Sequence, residues 1–161
     1  MYEKILVPLD GSALAERAVR HAKEIARGTG AEILLLQAVF IPMPIVPEAV
    51  LIAGGKAVEE ASRTAAEYLE KTAAALRAEG LPVRTMIDER PPADAILHIA
   101  EREEVDAIVM STHGRSGLSR LVMGSVAERV LHASRRPVML VRPEPPPVVA
   151  EKDEDWYLHV P

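Results

Sequence analysis

The chain has 161 residues, 3% aromatic residues, no cysteine and a net charge of −5. This length corresponds to one domain with a short excess, and the lack of cysteine excludes disulfide scaffolds, thiolate metal sites and cysteine nucleophiles. The few aromatic residues predict an aliphatic core, and with the acidic balance they exclude a general nucleic-acid-binding surface. We therefore expect no nucleic-acid partner, and any bound anion must be held by a local site.

Residues 33–53 form an apolar stretch long enough to cross a membrane. Pro42, Pro44 and Pro47 interrupt it and prevent a continuous helix. We interpret the stretch as a buried strand followed by an apolar loop, so no membrane partner is expected. The N-terminus carries no visible targeting segment, which favours a cytoplasmic location.

Short apolar runs and amphipathic stretches alternate along the chain. In chain order they predict strand 5–9, helix 13–27, strand 32–39, loop 40–55, helix 56–79, strand 82–87, helix 91–103, strand 105–110, helix 126–134 and strand 138–141. Loop 40–55 is long for a compact domain, and its aliphatic content predicts that it packs as a flap beside a ligand pocket or on a partner subunit.

Strands that alternate with helices form right-handed crossovers and a parallel sheet. The predicted fold is therefore an α/β three-layer sandwich with a five-stranded parallel sheet and helices on both faces. It occupies residues 1–142. Residues 143–161, first proline-rich and then acidic, are predicted to form a tail outside the domain, with Trp156 and Tyr157 docked on a partner subunit.

Two loops are placed to bind a ligand, because open parallel sheets bind ligands beyond the carboxyl ends of strands where the strand order reverses. The loop after the first strand holds Asp10. The loop after the fourth holds Gly114, Arg115, Gly124 and Ser125. Glycines allow close approach of the backbone, and amides at a helix N-terminus favour an anion. These residues predict a phosphate cradle.

A purely structural interpretation of the same residues is also open. Ser125 and Glu128 have the spacing of a capping box, in which the serine caps a helix and the glutamate reaches back. Asp10 is typical of an Asx turn, and Ser12 is a plausible helix N-cap. Capping and phosphate binding are compatible, because a capped helix leaves other first-turn amides free.

The loop after the fourth strand resembles the G-x2-G-x9-G-[ST] motif of ATP-binding members of the universal stress protein family. Here the register is Ser111-x2-Gly114-x9-Gly124-Ser125, with serine in place of the first glycine. Segments 5–12, 34–39 and 124–141 also resemble this family, and the likeness covers residues 2–142. Serine fits the first position if the backbone there is extended, and is strained if φ is positive.

The resemblance implies a sheet of order 3-2-1-4-5 and a homodimer that pairs the fifth strands, Val138–Val141, antiparallel. It implies ATP as ligand, or AMP or ADP, with Mg²⁺ or Mn²⁺ held through the phosphates. Asp10 would face the adenosine, and the backbone around Ala38 would read the adenine edge. The implied nucleotide-binding residues are Pro8, Leu9, Asp10, Ala38, Val39, Met110, Ser111, His113, Gly114, Arg115, Gly117, Gly124, Ser125 and Val126.

The resemblance thus implies a dimeric, nucleotide-dependent stress-response or signalling module with an unknown protein partner. Hydrolysis is expected to be slow at most, and no catalytic residues are assigned, because no clear base and no phosphate-loop lysine is found. The histidines on predicted helices lack a second ligand four residues later, so no metal site is expected. The alternative is an interaction module of the same fold that binds no nucleotide, whose glycine-rich loop is merely a turn.

Overall fold

Strands and helices alternate throughout the parts of the chain that the structure describes. The computed structural model describes residues 2–42, 48–112 and 123–142, with only the backbone for 48–54. In chain order the elements are β1 Lys4–Leu9, α1 Ala13–Thr29, β2 Glu32–Ala38, α2 Glu48–Ala78, β3 Val83–Asp88, α3 Pro92–Arg102, β4 Ala107–Ser111, α4 Ser125–Ala133 and β5 Val138–Val141. Apart from the start of α2, each boundary lies within two residues of its prediction.

The five strands form one parallel sheet of order β3-β2-β1-β4-β5. Alternate residues of each strand point to opposite faces. Ile5 and Val7 pack with α1 and α2 on one face, whereas Leu6 packs with α3 and α4 on the other. The predicted three-layer sandwich is confirmed, and the strand order is the one that the resemblance implied.

Aliphatic side chains fill both layers of the core. Every buried hydrophobic residue in the described ranges is Ala, Val, Ile, Leu or Met. Strand β1 is covered on both faces, so it appears in the sequence as a continuous apolar run rather than an alternating one. This agrees with the core expected from the composition.

Helix α2 begins eight residues earlier than predicted, which corrects the boundary of loop 40–55. Its bounds are Glu48–Ala78, so the second half of the predicted loop is helical. Residues 48–53 are mostly good helix formers, and they continue the helix through Gly54 and Gly55 at a cost of about 1 kcal/mol for each glycine. The flap prediction therefore concerns a shorter segment, of which 43–47 lie outside the described residues.

Two carboxylates accept hydrogen bonds at the edge of the sheet where the strands begin. The Asp106 carboxylate accepts hydrogen bonds from the backbone N–H groups of Lys4 (2.9 Å) and Glu3 (2.6 Å), which lowers the pKa of Asp106 below its ordinary value of 3.8. A hydrogen bond from Arg84 to Glu103 (2.9 Å) likewise lowers the pKa of Glu103. Groups with a lowered pKa stabilise the fold above their unfolded-state pKa, and this contribution is lost as the pH falls through the folded-state value.

We therefore expect Asp106→Asn to lower the free energy of unfolding at neutral pH, by about 1 kcal/mol. The variant should also lose less stability than the wild type as the pH falls below about 4, because asparagine has no charge to neutralise. Urea unfolding at a series of pH values measures both effects. Glu59→Gln, at an exposed position on α2, is the control. Equal acid sensitivity of the wild type and Asp106→Asn would contradict the prediction.

Candidate functional site

A cavity of about 500 Å³ opens at the carboxyl edge of the sheet, where the strand order reverses around β1 and β4. Its volume falls within the range of small-molecule sites. The ends of β1, β2 and β4 and the starts of α1, α3 and α4 form its walls. The lining residues are Pro8, Leu9, Asp10, Ala15, Leu36, Gln37, Ala38, Phe40, Pro42, Pro92, Ile96, Met110, Ser111, Thr112, Gly124, Ser125, Val126 and Ala127.

Nine of the predicted binding residues share this cavity. They are Pro8, Leu9, Asp10, Ala38, Met110, Ser111, Gly124, Ser125 and Val126. Val39 is absent from the lining: it is buried, and its N–H donates to the Asp88 carbonyl (2.8 Å). His113, Gly114, Arg115 and Gly117 lie outside the described residues. The structure thus brings together the residues from the first loop and those from the start of α4.

The turn after β1 places the Asp10 carboxylate at the cavity wall. Asp10 Oδ1 accepts from the Ser12 N–H (3.0 Å), and Gly11 adopts the φ of 79° that favours glycine. The Ser12 hydroxyl then accepts from the Ala15 N–H (3.1 Å) and caps α1. Both structural predictions, the Asx turn and the N-cap, are confirmed.

Ser111 ends β4 in an extended conformation. It lies opposite Val141 in the ladder, and its φ is not positive. The backbone at this position therefore requires no glycine, and serine stands there without strain. The next residue, Thr112, donates its N–H to the Val141 carbonyl (3.0 Å) and accepts from the Gly124 N–H (2.8 Å). These bonds fix the start of α4 beside the end of β4.

The capping box predicted for Ser125 and Glu128 is wrong. Gly124 is the N-cap, and its carbonyl accepts from the Glu128 N–H (2.9 Å), whereas Ser125 is the first helical residue with an exposed side chain. Because the Gly124 N–H bonds to Thr112, this tertiary contact sets where the helix begins. The first-turn amides of Ser125, Val126 and Ala127 have no intrahelical acceptor, and all three residues line the cavity.

The two sides of the cavity differ in charge. On the α1 side Asp10 lines the cavity, and Glu16, which is outside the lining, adds a second carboxylate from α1. Tyr68 donates to Glu16 Oε1 (3.3 Å), and burial first, then the negative charges of Glu16 and Asp10, raise the pKa of Tyr68 to about 12. On the α4 side lies a helix N-terminus, which carries partial positive charge. An anionic group is therefore favoured at α4, and hydroxyl donors at Asp10.

Sequence reasoning missed several lining residues, of which Gln37 and Phe40 are the most informative. Gln37 Oε1 is buried and has no hydrogen-bond donor among the described residues. Phe40 is 45% exposed, unusually open for the one phenylalanine of the chain. The alternation that continues from Ala38 could have indicated that Phe40 faces the same side.

The described part of the chain contains neither a candidate metal site nor a candidate membrane-spanning helix. Within residues 2–42, 48–112 and 123–142, no three histidine or acidic side chains come together as a potential metal site. No helix in those ranges is both long enough and apolar enough to cross a membrane.

Comparison with known proteins gives consistent matches. The sequence profile of the universal stress protein family matches residues 1–142. The chain is 32% identical over 152 residues to universal stress protein MJ0531 of Methanocaldococcus jannaschii, covering 88% of this chain and 83% of that protein.

Solved structures show the same fold. Universal stress protein UspA from Lactobacillus plantarum superposes with a TM-score of 0.80 at 24% identity, over 88% of this chain and 98% of that one. A universal stress protein from Archaeoglobus fulgidus, solved in complex with dAMP, has a TM-score of 0.59 at 26% identity, over 88% and 98% of the two chains.

Proposed function

Because the chain belongs to the universal stress protein family, we propose that it binds ATP at the carboxyl edge of its sheet. In this proposal it is a cytoplasmic, dimeric stress-response module whose bound nucleotide biases its interaction with a protein partner. The observation that carries the proposal is the cavity itself, which is lined both by Asp10 and by the first-turn residues of α4. The dAMP complex of the related Archaeoglobus protein supports an adenine nucleotide as ligand.

The residues present fit such a ligand. The backbone N–H groups of Ser125, Val126 and Ala127 would donate hydrogen bonds to phosphate oxygens, because first-turn N–H groups without an intrahelical acceptor bind anions. The Asp10 carboxylate would accept from the ribose hydroxyls, and the backbone at Ala38 would contact the adenine edge. The Asp10 carboxylate would repel the phosphates and the start of α4 would attract them, so the ligand would bind in one orientation.

Further contacts follow from the family resemblance. His113 and Gly114 would approach the phosphates, and Mg²⁺ or Mn²⁺ would be held through the phosphates, since Asp10 is the one carboxylate among the described lining residues. AMP and ADP would occupy the same adenosine site. We also infer that residues 1–142 are the nucleotide-binding domain and that 143–161 lie outside it.

Slow hydrolysis at most is part of the proposal. The described lining residues contain no lysine and no histidine. Asp10 Oδ1 is already engaged by the Ser12 N–H. Efficient phosphoryl transfer requires a group that orients the attacking water and cations that stabilise the transferred charge. Nucleotide binding therefore serves as a signal in this proposal rather than as one step of rapid catalysis.

Dimerisation through β5 completes the proposed assembly. Val138–Val141 forms the edge of the sheet beyond β4, and Met139 is 44% exposed there. An apolar edge strand favours pairing with another strand, and antiparallel pairing of two β5 strands would cover this edge.

Isothermal titration of the full chain with ATP, with and without Mg²⁺, tests the proposed function. We expect saturable binding and a rise in the unfolding temperature, because a ligand that binds only the folded state stabilises it. Neither heat nor a thermal shift at millimolar ATP would overturn the proposal and favour a nucleotide-independent interaction module. Product release at tens of turnovers per second would instead indicate an enzyme.

A further inference from the structure

Phe40 combines an aromatic side chain with unusual exposure at the cavity wall. Four large hydrophobic residues in the described ranges are exposed: Tyr2, Phe40, Leu131 and Met139. Of these, only Phe40 lines the cavity. An aromatic ring left open to water beside a binding cavity offers a flat apolar surface for a planar ligand.

The course of β2 directs this ring to the cavity. Leu36, Gln37 and Ala38 at the end of β2 line the cavity, and Leu36 and Ala38 point to the same face of the sheet. The pairing with β3 continues one residue further, because the Val39 N–H donates to the Asp88 carbonyl (2.8 Å), and Val39 is buried away from the cavity. Phe40 therefore continues the row of Leu36 and Ala38.

Two prolines also line the cavity. Pro42 lies two residues beyond Phe40, and Pro92 opens α3; both line the cavity. Ala38, two residues before Phe40, also lines the cavity and has a small side chain. The lining thus offers apolar side chains, Phe40 among them, in addition to the backbone amides at the start of α4.

We propose that Phe40 is a specificity-determining residue that stacks on the nucleobase and favours purine over pyrimidine nucleotides. The inference rests on the proposed nucleotide function and adds the element that selects the base. A purine presents a larger face than a pyrimidine, so the same ring gains more contact from it. The α4 amides contact only the phosphates, which ATP and CTP share, and therefore contribute equally to both.

The test compares ATP and CTP binding by calorimetry, in the presence of Mg²⁺, for the wild-type full chain and for Phe40→Ala. We expect Phe40→Ala to weaken ATP binding by about tenfold and CTP binding by less, so that the preference for ATP shrinks. Phe40→Trp, which keeps an aromatic ring at this position, should retain the preference for ATP over CTP. Tyr2→Ala, which removes a comparably exposed aromatic side chain outside the cavity, should leave both affinities unchanged.

The outcomes separate the inference from the function on which it rests. If Phe40→Ala binds ATP as tightly as the wild type, the stacking role is overturned. If it loses affinity for ATP and CTP equally, the role in base selection is overturned. Nucleotide binding stands in both cases. If the wild type binds neither nucleotide, the proposed function itself is overturned. Unfolding temperatures of Phe40→Ala and Tyr2→Ala identify any loss that comes from the fold.

Discussion

The Gly124→Val variant is expected to bind ATP at least about a hundredfold more weakly than the wild type, equivalent to about 2.7 kcal/mol at 25 °C. Gly124 has φ −64° and ψ 144°, which any residue adopts, so the substitution introduces no backbone strain. The branched side chain would instead stand at the cavity wall beside the Ser125 and Val126 amides. Because hydrogen bonds to a charged group contribute about 1.5–3 kcal/mol each, displacing a phosphate from two amides accounts for the loss.

Gly28→Val is the matched control for this variant. A Cβ atom at Gly28, near the end of α1, would meet no described atom within 4 Å, and the position is remote from the cavity lining. Titration with ATP should give the wild-type affinity for Gly28→Val, and circular dichroism should show folded protein for both variants. Wild-type affinity in Gly124→Val would mean that the phosphates do not bind at the start of α4.

The secondary structure was largely predictable because the apolar patterns report burial directly. Strand β1 is covered on both faces and therefore carries a continuous apolar run. The start of α2 was not predictable in the same way. Prolines before Glu48 and the glycine pair after it favoured a loop, yet the helix-forming run between them determines the structure. The alternation predicted a parallel sheet, whereas its strand order was implied only by family resemblance.

The site was predictable where local sequence determines local geometry. The Asx turn at Asp10 and the cap at Ser12 depend on contacts two or three residues apart. The start of α4 depends instead on the bond from Gly124 to Thr112, a contact between loop ends that no local pattern reveals. The contribution of Phe40 to the cavity depends on strand pairing beyond the end of β2, for which the alternation from Ala38 is the one local signal.

The backbone at Ser111 also changes how the motif is interpreted. A serine in place of the first motif glycine raised the question of strain, and the extended strand conformation removes it. The positive φ that favours glycine occurs instead at Gly11, in the turn after β1, where φ is 79°. The anion site proposed here relies on backbone amides, so it requires no basic side chain and is compatible with an acidic chain.

Leu6→Ala is expected to lower the free energy of unfolding by about 3–5 kcal/mol, because it leaves a cavity in a fully buried core. Leu6 is 0% exposed in the central strand β1 and is paired with Leu34 on one side and Ile108 on the other. Urea unfolding measures the loss. Leu131→Ala removes the same atoms at a side chain that is 43% exposed and should cost less than about 0.5 kcal/mol.

The same variant separates stability from binding. Leu6 packs against α3 and α4 but does not line the cavity, so the folded fraction of Leu6→Ala should bind ATP with wild-type affinity. If the proposed function is correct, ATP at a hundred times its Kd should then stabilise Leu6→Ala and the wild type equally, by about 2.7 kcal/mol. Gly124→Val should show the opposite behaviour, with little change in unfolding without ATP and little stabilisation by it. A loss of ATP stabilisation in Leu6→Ala would mean that the core layer beneath β1 also shapes the site.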